Sequence, residues 1–435
     1  MCFARLPARL PLNVLSTEFH QKDTPALFAS FRTIVGERVW LDVADDVSHR
    51  CEKAPWMREY LWDQYRVCFA LAECSQASDG NGGVLPLSIT TVPLMAETFA
   101  FALAALQLLQ AARSHSRRRE QILLARVREA IREPRMMQAM QLEARVAIHF
   151  LNRKHQVFFP ELGSSNESYD LLVETLGPSG LELECKVVTH DKGRKIHRAE
   201  ACDFLGRLQN SPLFQAFAST LGRGLAVRIT VPNRLPEEPE WERLIQEVTS
   251  QVVLGTDGVL PDGTKVGLRD FEVGELGRLE NPVPASTVEA ANRVVGVKNG
   301  NVVIFRLGRR AGALVIAIES ELPDSMLHET FATLAVAAAN QLTGRRAGAF
   351  MTSFEDIGAQ ALLELARDEG RNGNYSALNW ATSRFLEQDD YPHVVGVGFL
   401  SQPDFASDAS GTAYWFPRRT SSSWSEDFVG LFRTS

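Results

Sequence analysis

The sequence is short of lysine, of net positive charge and of long apolar runs, and each shortage excludes something. A formal net charge of −7 leaves no global basic signature of the kind that coats nucleic acid, so any polyanion site must be local. Six cysteines (Cys2, Cys51, Cys68, Cys74, Cys185 and Cys202) match neither a disulfide framework nor a CxxC zinc pair, which points to a reducing cytoplasm. The most apolar window, Leu94 to Leu109, holds Glu97 and Gln107 and spans 16 residues. A membrane-spanning helix needs roughly 20, so a buried core helix and no membrane partner are expected. The opening MCFARLPARLPLNVL interrupts its apolar residues with arginine and proline and lacks the continuous apolar core of a signal peptide. No internal repeat of fixed period is visible.

What is present is globular: 45% hydrophobic and 23% charged residues in a 435-residue chain, too long for one ordinary core, so two or three domains are expected. Residues 1–135 read as an accessory region, largely helical after residue 50. The pattern from Leu94 to Leu151 is helical with a break at Pro134, and residues 113–135 carry eight arginines against three glutamates. That face is either simply solvated or a contact for nucleic acid. Short β-like runs follow at Gln156–Pro160, Tyr169–Thr175 and Leu181–Thr189, then a helical stretch from Ala199 to Leu221 and a strand at Gly224–Val231. Together they predict an α/β core over residues 136–235.

Residues 236–435 read as a C-terminal α+β domain, the expected place for contact with a second copy or a partner protein. A helix is expected at Glu240–Val252. A hairpin is expected with strands Val294–Val297 and Val302–Leu307 around Asn299-Gly300, with a third strand at Ala313–Ile318. Helices at 325–342, 357–369 and 376–387 and strands at 348–353 and 394–400 complete it.

The stretch LELECKVV, residues 181–188, carries the chemistry. As a strand it aims Leu183, Cys185 and Val187 at one face and Glu182, Glu184 and Lys186 at the other. The turn Leu176-Gly-Pro-Ser-Gly180 folds the preceding strand back beside it, which brings Asp170 toward Glu184. Two carboxylates near one point suit magnesium, which takes one or two such ligands and keeps several waters. Only eight of the 46 basic residues are lysine, and Lys154, Lys186, Lys192 and Lys195 fall in one region; lysine where arginine is the default suggests a compact charge with a shiftable pKa. Upstream, Glu143 shares a helical face with Met136, Met140, Ala147 and Phe150, where a carboxylate is costly without a partner. The alternatives are a solvated strand face for Glu182, Glu184 and Lys186, and for Glu143 a helix-edge acid reaching water or an arginine.

The order of acid-bearing helix, strand, Asp-led strand, turn, Glu-x-Lys strand, helix and strand resembles the PD-(D/E)xK nuclease superfamily over residues 136–231. Tyr169 stands where the family name has proline. The resemblance implies a restriction-endonuclease-like fold, a mixed sheet flanked by helices. It also implies a magnesium site, with manganese as a substitute, built from Asp170, Glu184, the backbone carbonyl of Cys185 and the auxiliary acid Glu143. Lys186 would position or activate the attacking water in phosphodiester hydrolysis, with DNA as the expected substrate. The basic loop that follows offers Lys192, Arg194, Lys195 and Arg198 for phosphate contact. A nuclease core among unassigned domains is a layout similar to bacterial restriction and anti-phage proteins. The rival reading is a nuclease-like fold that has lost cleavage and serves as a nucleic-acid-binding or scaffold protein. Two other acidic groups, Glu319/Glu321/Asp324/His328 and Asp42/Asp45/Asp46/His49, read as helix-cap and surface residues and not as metal sites.

Overall fold

The computed structural model describes residues 20–80, 92–160, 168–189, 191–277, 285–297, 301–307, 312–355, 357–366, 376–401, 413–419, 428 and 431. Helices lead the chain: α1 (Thr24–Val35), α2 (Arg38–Lys53), α3 (Arg58–Gln64), α4 (Arg66–Gly80), α5 (Val92–His115), α6 (Arg117–Arg132) and α7 (Pro134–Asn152). Strands β1 (Val157–Phe158), β2 (Leu171–Val173) and β3 (Leu181–Val188) follow, then α8 (Arg198–Asn210), α9 (Pro212–Thr220), β4 (Gly224–Val231), α10 (Trp241–Leu254), β5 (Gly258–Val259), β6 (Lys265–Phe271) and α11 (Ala285–Val295). The last elements are β7 (Asn301–Leu307), β8 (Gly312–Ser320), α12 (Met326–Asn340), β9 (Ala347–Phe354), α13 (Ala359–Ala366), α14 (Ala377–Leu386), β10 (Val394–Leu400) and β11 (Ala413–Pro417).

These elements sort into two compact units, each with its own mixed sheet flanked by helices. One comprises Met1–His49, Trp62–His190 and Leu327–Ser435; the other comprises Arg50–Leu61 and Asp191–Met326. In the first, the sheet order is β1-β2-β3-β9-β10-β11. The β1/β2, β2/β3 and β10/β11 pairs are antiparallel, whereas β3, β9 and β10 run parallel. Strands covered on both faces read as continuous apolar runs, and β9 is buried throughout. One face of this sheet, through Leu181, Leu183, Cys185, Ala347, Ala349 and Met351, shares a core with α1, α4, α5, α6 and α7. Helix α5 is long and apolar enough over Leu94–Ser114 to cross a membrane by length and composition, longer than the 16 residues expected; it is apolar all round because it is packed inside this core.

The second unit carries the sheet β5-β6-β4-β8-β7, with α8, α9 and α10 packed on one apolar face and α11 on the other. This corrects the expected domain borders. Strand β4 does not join β3: it pairs with β6 and β8, and the parallel neighbour of β3 is β9, reached after α12. The core around β3 therefore ends not at 235 but in the C-terminal third, with 191–326 inserted between β3 and α12 as a separate unit. No border falls at 135 either, because α1 and α4 to α7 share one core with β2 and β3.

Smaller corrections have local causes. The expected helix from Ala199 to Leu221 is two helices, since Pro212 opens α9 after the extended residue Ser211. Val294 and Val295 end a helix and do not start a strand: Gly296, at φ 78°, closes α11 by donating its N–H to Asn292 O, a glycine C-terminal cap. The Asn299-Gly300 turn lies outside the described residues, and β7 pairs instead with β8.

Candidate functional site

The hairpin β2/β3 positions the central residues. Gly177 and Gly180 take positive φ values of 74° and 86°, which lets the turn close, and the register pairs Leu171 with Leu183. One step further, the Asp170 N–H donates to Leu183 O at 3.1 Å, so Asp170 stands across from Glu184. The Asp170 carboxylate turns into the strand edge and accepts the Cys185 N–H on Oδ2 at 2.7 Å. In an antiparallel ladder a residue's N–H and C=O leave on the same side, so the Cys185 carbonyl points to the edge where Asp170 sits.

Glu184 is 1% exposed. Its Oε1 accepts from Lys186 Nζ at 2.5 Å, while its Oε2 is buried with no hydrogen-bond partner. Burial, then the charge of Asp170, raise the Glu184 pKa to about 8 against the pull of Lys186, with Glu143 adding a smaller push upward. Three acids thus bear on one locus. Burial and the same acids also hold the Cys185 thiol well above its ordinary range, which removes it as a nucleophile.

Glu143 lies on α7, and both its oxygens accept from Arg126 Nη2, at 2.9 and 3.1 Å. The sequence signal for this partner is symmetry: α6 and α7 fold back about Pro134, so positions 126 and 143 come level. Of the face expected to carry Glu143, Met140, Ala147 and Phe150 are buried, while Met136 is 39% exposed. Glu182 departs from expectation: its carboxylate accepts from Thr343 N at 2.8 Å and Thr343 Oγ1 at 2.5 Å and pairs with Arg346 at 3.5 Å. It is a framework residue, and the strand face is not solvated. Sequence reading also missed Gln138 on α7, which donates to Glu355 Oε1 at 2.6 Å just past the end of β9.

Among the described residues, no group of three or more His, Cys, Asp or Glu is arranged to hold a metal ion. Glu143 is instead paired with Arg126. Asp170, Glu184 and the Cys185 carbonyl form a smaller set of two acids and one backbone oxygen, which suits magnesium. The unpartnered Glu184 oxygen and the repulsion from Asp170 are what a cation there would relieve.

The basic loop belongs to the other unit and is partly consumed by its own structure. Arg194 has a side chain only 12% exposed, donates to Asn301 Oδ1 at 3.0 Å and lies 4.0 Å from Asp324. Arg198 sits over the Tyr60 ring at 5.8 Å. Lys192 and Lys195 are half-buried. The arginine-rich stretch is likewise divided: Arg126 holds Glu143, Arg128 donates to Val35 O and Arg119 covers Phe158, while Arg117, Arg118, Arg132 and Arg135 are exposed. Glu319 pairs with Arg228 and Glu321 with Lys265; Asp45 and Asp46 lie on the exposed side of α2. Comparison with models of known protein families, with characterised proteins and with solved structures finds no match.

Proposed function

We propose that this chain is a metal-dependent nuclease of restriction-endonuclease-like architecture that hydrolyses phosphodiester bonds, with DNA as the expected substrate. The reading is supported by element order in the first unit: α7 with Glu143, β1, β2 led by Asp170, β3 with Glu184 and Lys186, then α12 and the parallel strand β9. The observation that carries it is the buried, unpartnered Oε2 of Glu184, in a carboxylate repelled by Asp170 and Glu143. A buried acid with one oxygen left without a hydrogen bond is costly in a purely structural role.

In this reading Asp170, Glu184 and the Cys185 carbonyl hold magnesium. When bound, magnesium supplies polarisation of a phosphoryl oxygen and a lowered pKa for coordinated water. Lys186, its side chain 25% exposed, stabilises the negative charge that develops beside the attacking oxygen. The Cys185 N–H fixes the orientation of Asp170, and Arg126 sets the distance at which Glu143 acts.

The second reading, a nuclease-like scaffold without cleavage, draws on the ion pairs themselves: Lys186 and Arg126 already neutralise two of the three acids. Incubation of purified protein with supercoiled plasmid, with and without magnesium, separates the two. Metal-dependent nicking supports cleavage; intact plasmid together with salt-dependent DNA binding supports the scaffold.

A further inference from the structure

A second buried polar atom near Glu184 also lacks a partner. Thr352 is 0% exposed, and its Oγ1 makes no hydrogen bond. It lies in β9 directly beside Lys186, in the register that pairs Glu184 with Phe350 and Lys186 with Thr352. Alternation puts Phe350, Thr352 and Phe354 on one face of β9, opposite Ala349 and Met351 in the helical core. Phe350 and Phe354 are packed there against Phe385 and Phe399. Glu184 and Lys186 share that face, since side chains paired across a ladder point the same way.

A threonine hydroxyl on an otherwise aromatic, fully buried face is an unusual placement, because an unsatisfied hydroxyl there costs more than the valine of equal size. Glu184 and Thr352 are same-face diagonal neighbours across the β3/β9 ladder, and such neighbours stand about 7–8 Å apart at Cα, within reach of long side chains. Side chains that lean toward each other close much of that gap, and one water with two hydrogen bonds of about 2.8 Å bridges tips up to about 5 Å apart. An ionised carboxylate offers about four lone-pair sites, so this bond leaves room for a further ligand on the same oxygen.

Resting on the cleavage reading, we propose that Thr352 is a positioning residue for Glu184: its hydroxyl, through one enclosed water, orients the carboxylate oxygen that Lys186 leaves free. Lys186 then holds one oxygen of Glu184 and Thr352 the other. The acid is presented in a single orientation to its cation, by a residue that touches neither substrate nor metal.

The test compares wild type, Thr352→Val and Thr352→Ser by calorimetric titration with manganese alone, alongside thermal unfolding in the absence of metal. Thr352→Val weakens manganese binding about tenfold, the scale for losing an outer-shell hydrogen bond. Thr352→Ser, which keeps the hydroxyl, restores it. The metal-free unfolding temperature of Thr352→Val is nearly unchanged, because the isosteric methyl keeps the packing and only a water-mediated bond is lost. Manganese binding equally tight in wild type and Thr352→Val, or a lowered unfolding temperature with unchanged binding, overturns the role of Thr352 alone. Absence of manganese binding in the wild type overturns the metal site and this assignment together.

Discussion

Glu182 and Glu184 stand two residues apart on the same strand face and are almost equally withdrawn from water, at 0% and 1% exposure. Glu182 has its carboxylate answered by Thr343 and Arg346. Glu184 has one oxygen answered by Lys186 and the other by nothing. Residue type, burial and strand face are thus held constant, and what separates framework from candidate site is whether the hydrogen bonding is complete. Most buried polar groups in folded proteins are satisfied, so of these two glutamates the incomplete one is the better candidate to hold a ligand.

The largest effect that can break this contrast is on stability. Glu182→Ala leaves Arg346 and Thr343 without their acceptor, and loss of one partner from a buried ion pair costs about 3–5 kcal/mol. Glu184→Gln, measured without metal, is neutral or stabilising, since it removes a desolvated and repelled charge. Urea unfolding of the two variants checks this, and equal losses would erase the distinction. Next comes Arg126→Met, which strips Glu143 of its guanidinium and costs about 3 kcal/mol. Adding Glu143→Gln recovers part of that loss, as a double-mutant cycle reads directly.

A smaller, pH-dependent effect sharpens the comparison. The Glu184 pKa rises from 4.5 to about 8 on folding, so between those values the folded state binds the extra proton. Stability therefore falls as pH rises through this window. His149 slopes the opposite way lower down, because burial and neighbouring charge take it from 6.5 to about 4 and stability rises with pH across that range. The interval from about pH 6.5 to 8 consequently isolates Glu184, and the downward slope seen there in metal-free wild type is absent in Glu184→Gln.

How much of this was legible in the sequence follows from the range of each signal. The Asp170, Glu184 and Lys186 grouping was readable because a short turn and strand alternation are local rules. The choice of partner for β3 was not. Gly224–Val231 and Ala347–Phe354 are both apolar runs that fit a buried parallel strand, and nothing local says that the nearer one belongs to another sheet. The valines of α11 misled for a related reason, since β-branched residues on a helix's buried stripe resemble a short strand until the glycine cap is recognised. The Arg126 partner of Glu143 was available in principle from the symmetry about Pro134. The unpartnered oxygens of Glu184 and Thr352 were not, because an absent hydrogen bond leaves no trace in sequence.

The smallest expected effect concerns the loop after β3. Arg194 is engaged with Asn301 and Asp324, and the proposed phosphate contact of the loop is tested at Lys192 and Lys195, both half-buried. Lys192→Glu with Lys195→Glu lowers DNA affinity about equally across unrelated sequences, and reduces the salt slope by roughly one for each phosphate no longer neutralised. Fluorescence anisotropy at several salt concentrations measures both, and a sequence-dependent loss would mean that the loop reads bases.

The most direct test places the two glutamates side by side in the plasmid assay. With magnesium present, Glu182→Gln nicks supercoiled plasmid in proportion to its folded fraction. Glu184→Gln, folded as judged by circular dichroism, loses at least about a hundredfold in rate, the scale for removing an electrostatic element of a site. Magnesium-dependent nicking by Glu184→Gln at the wild-type rate contradicts the assignment of Glu184 as the centre of the site.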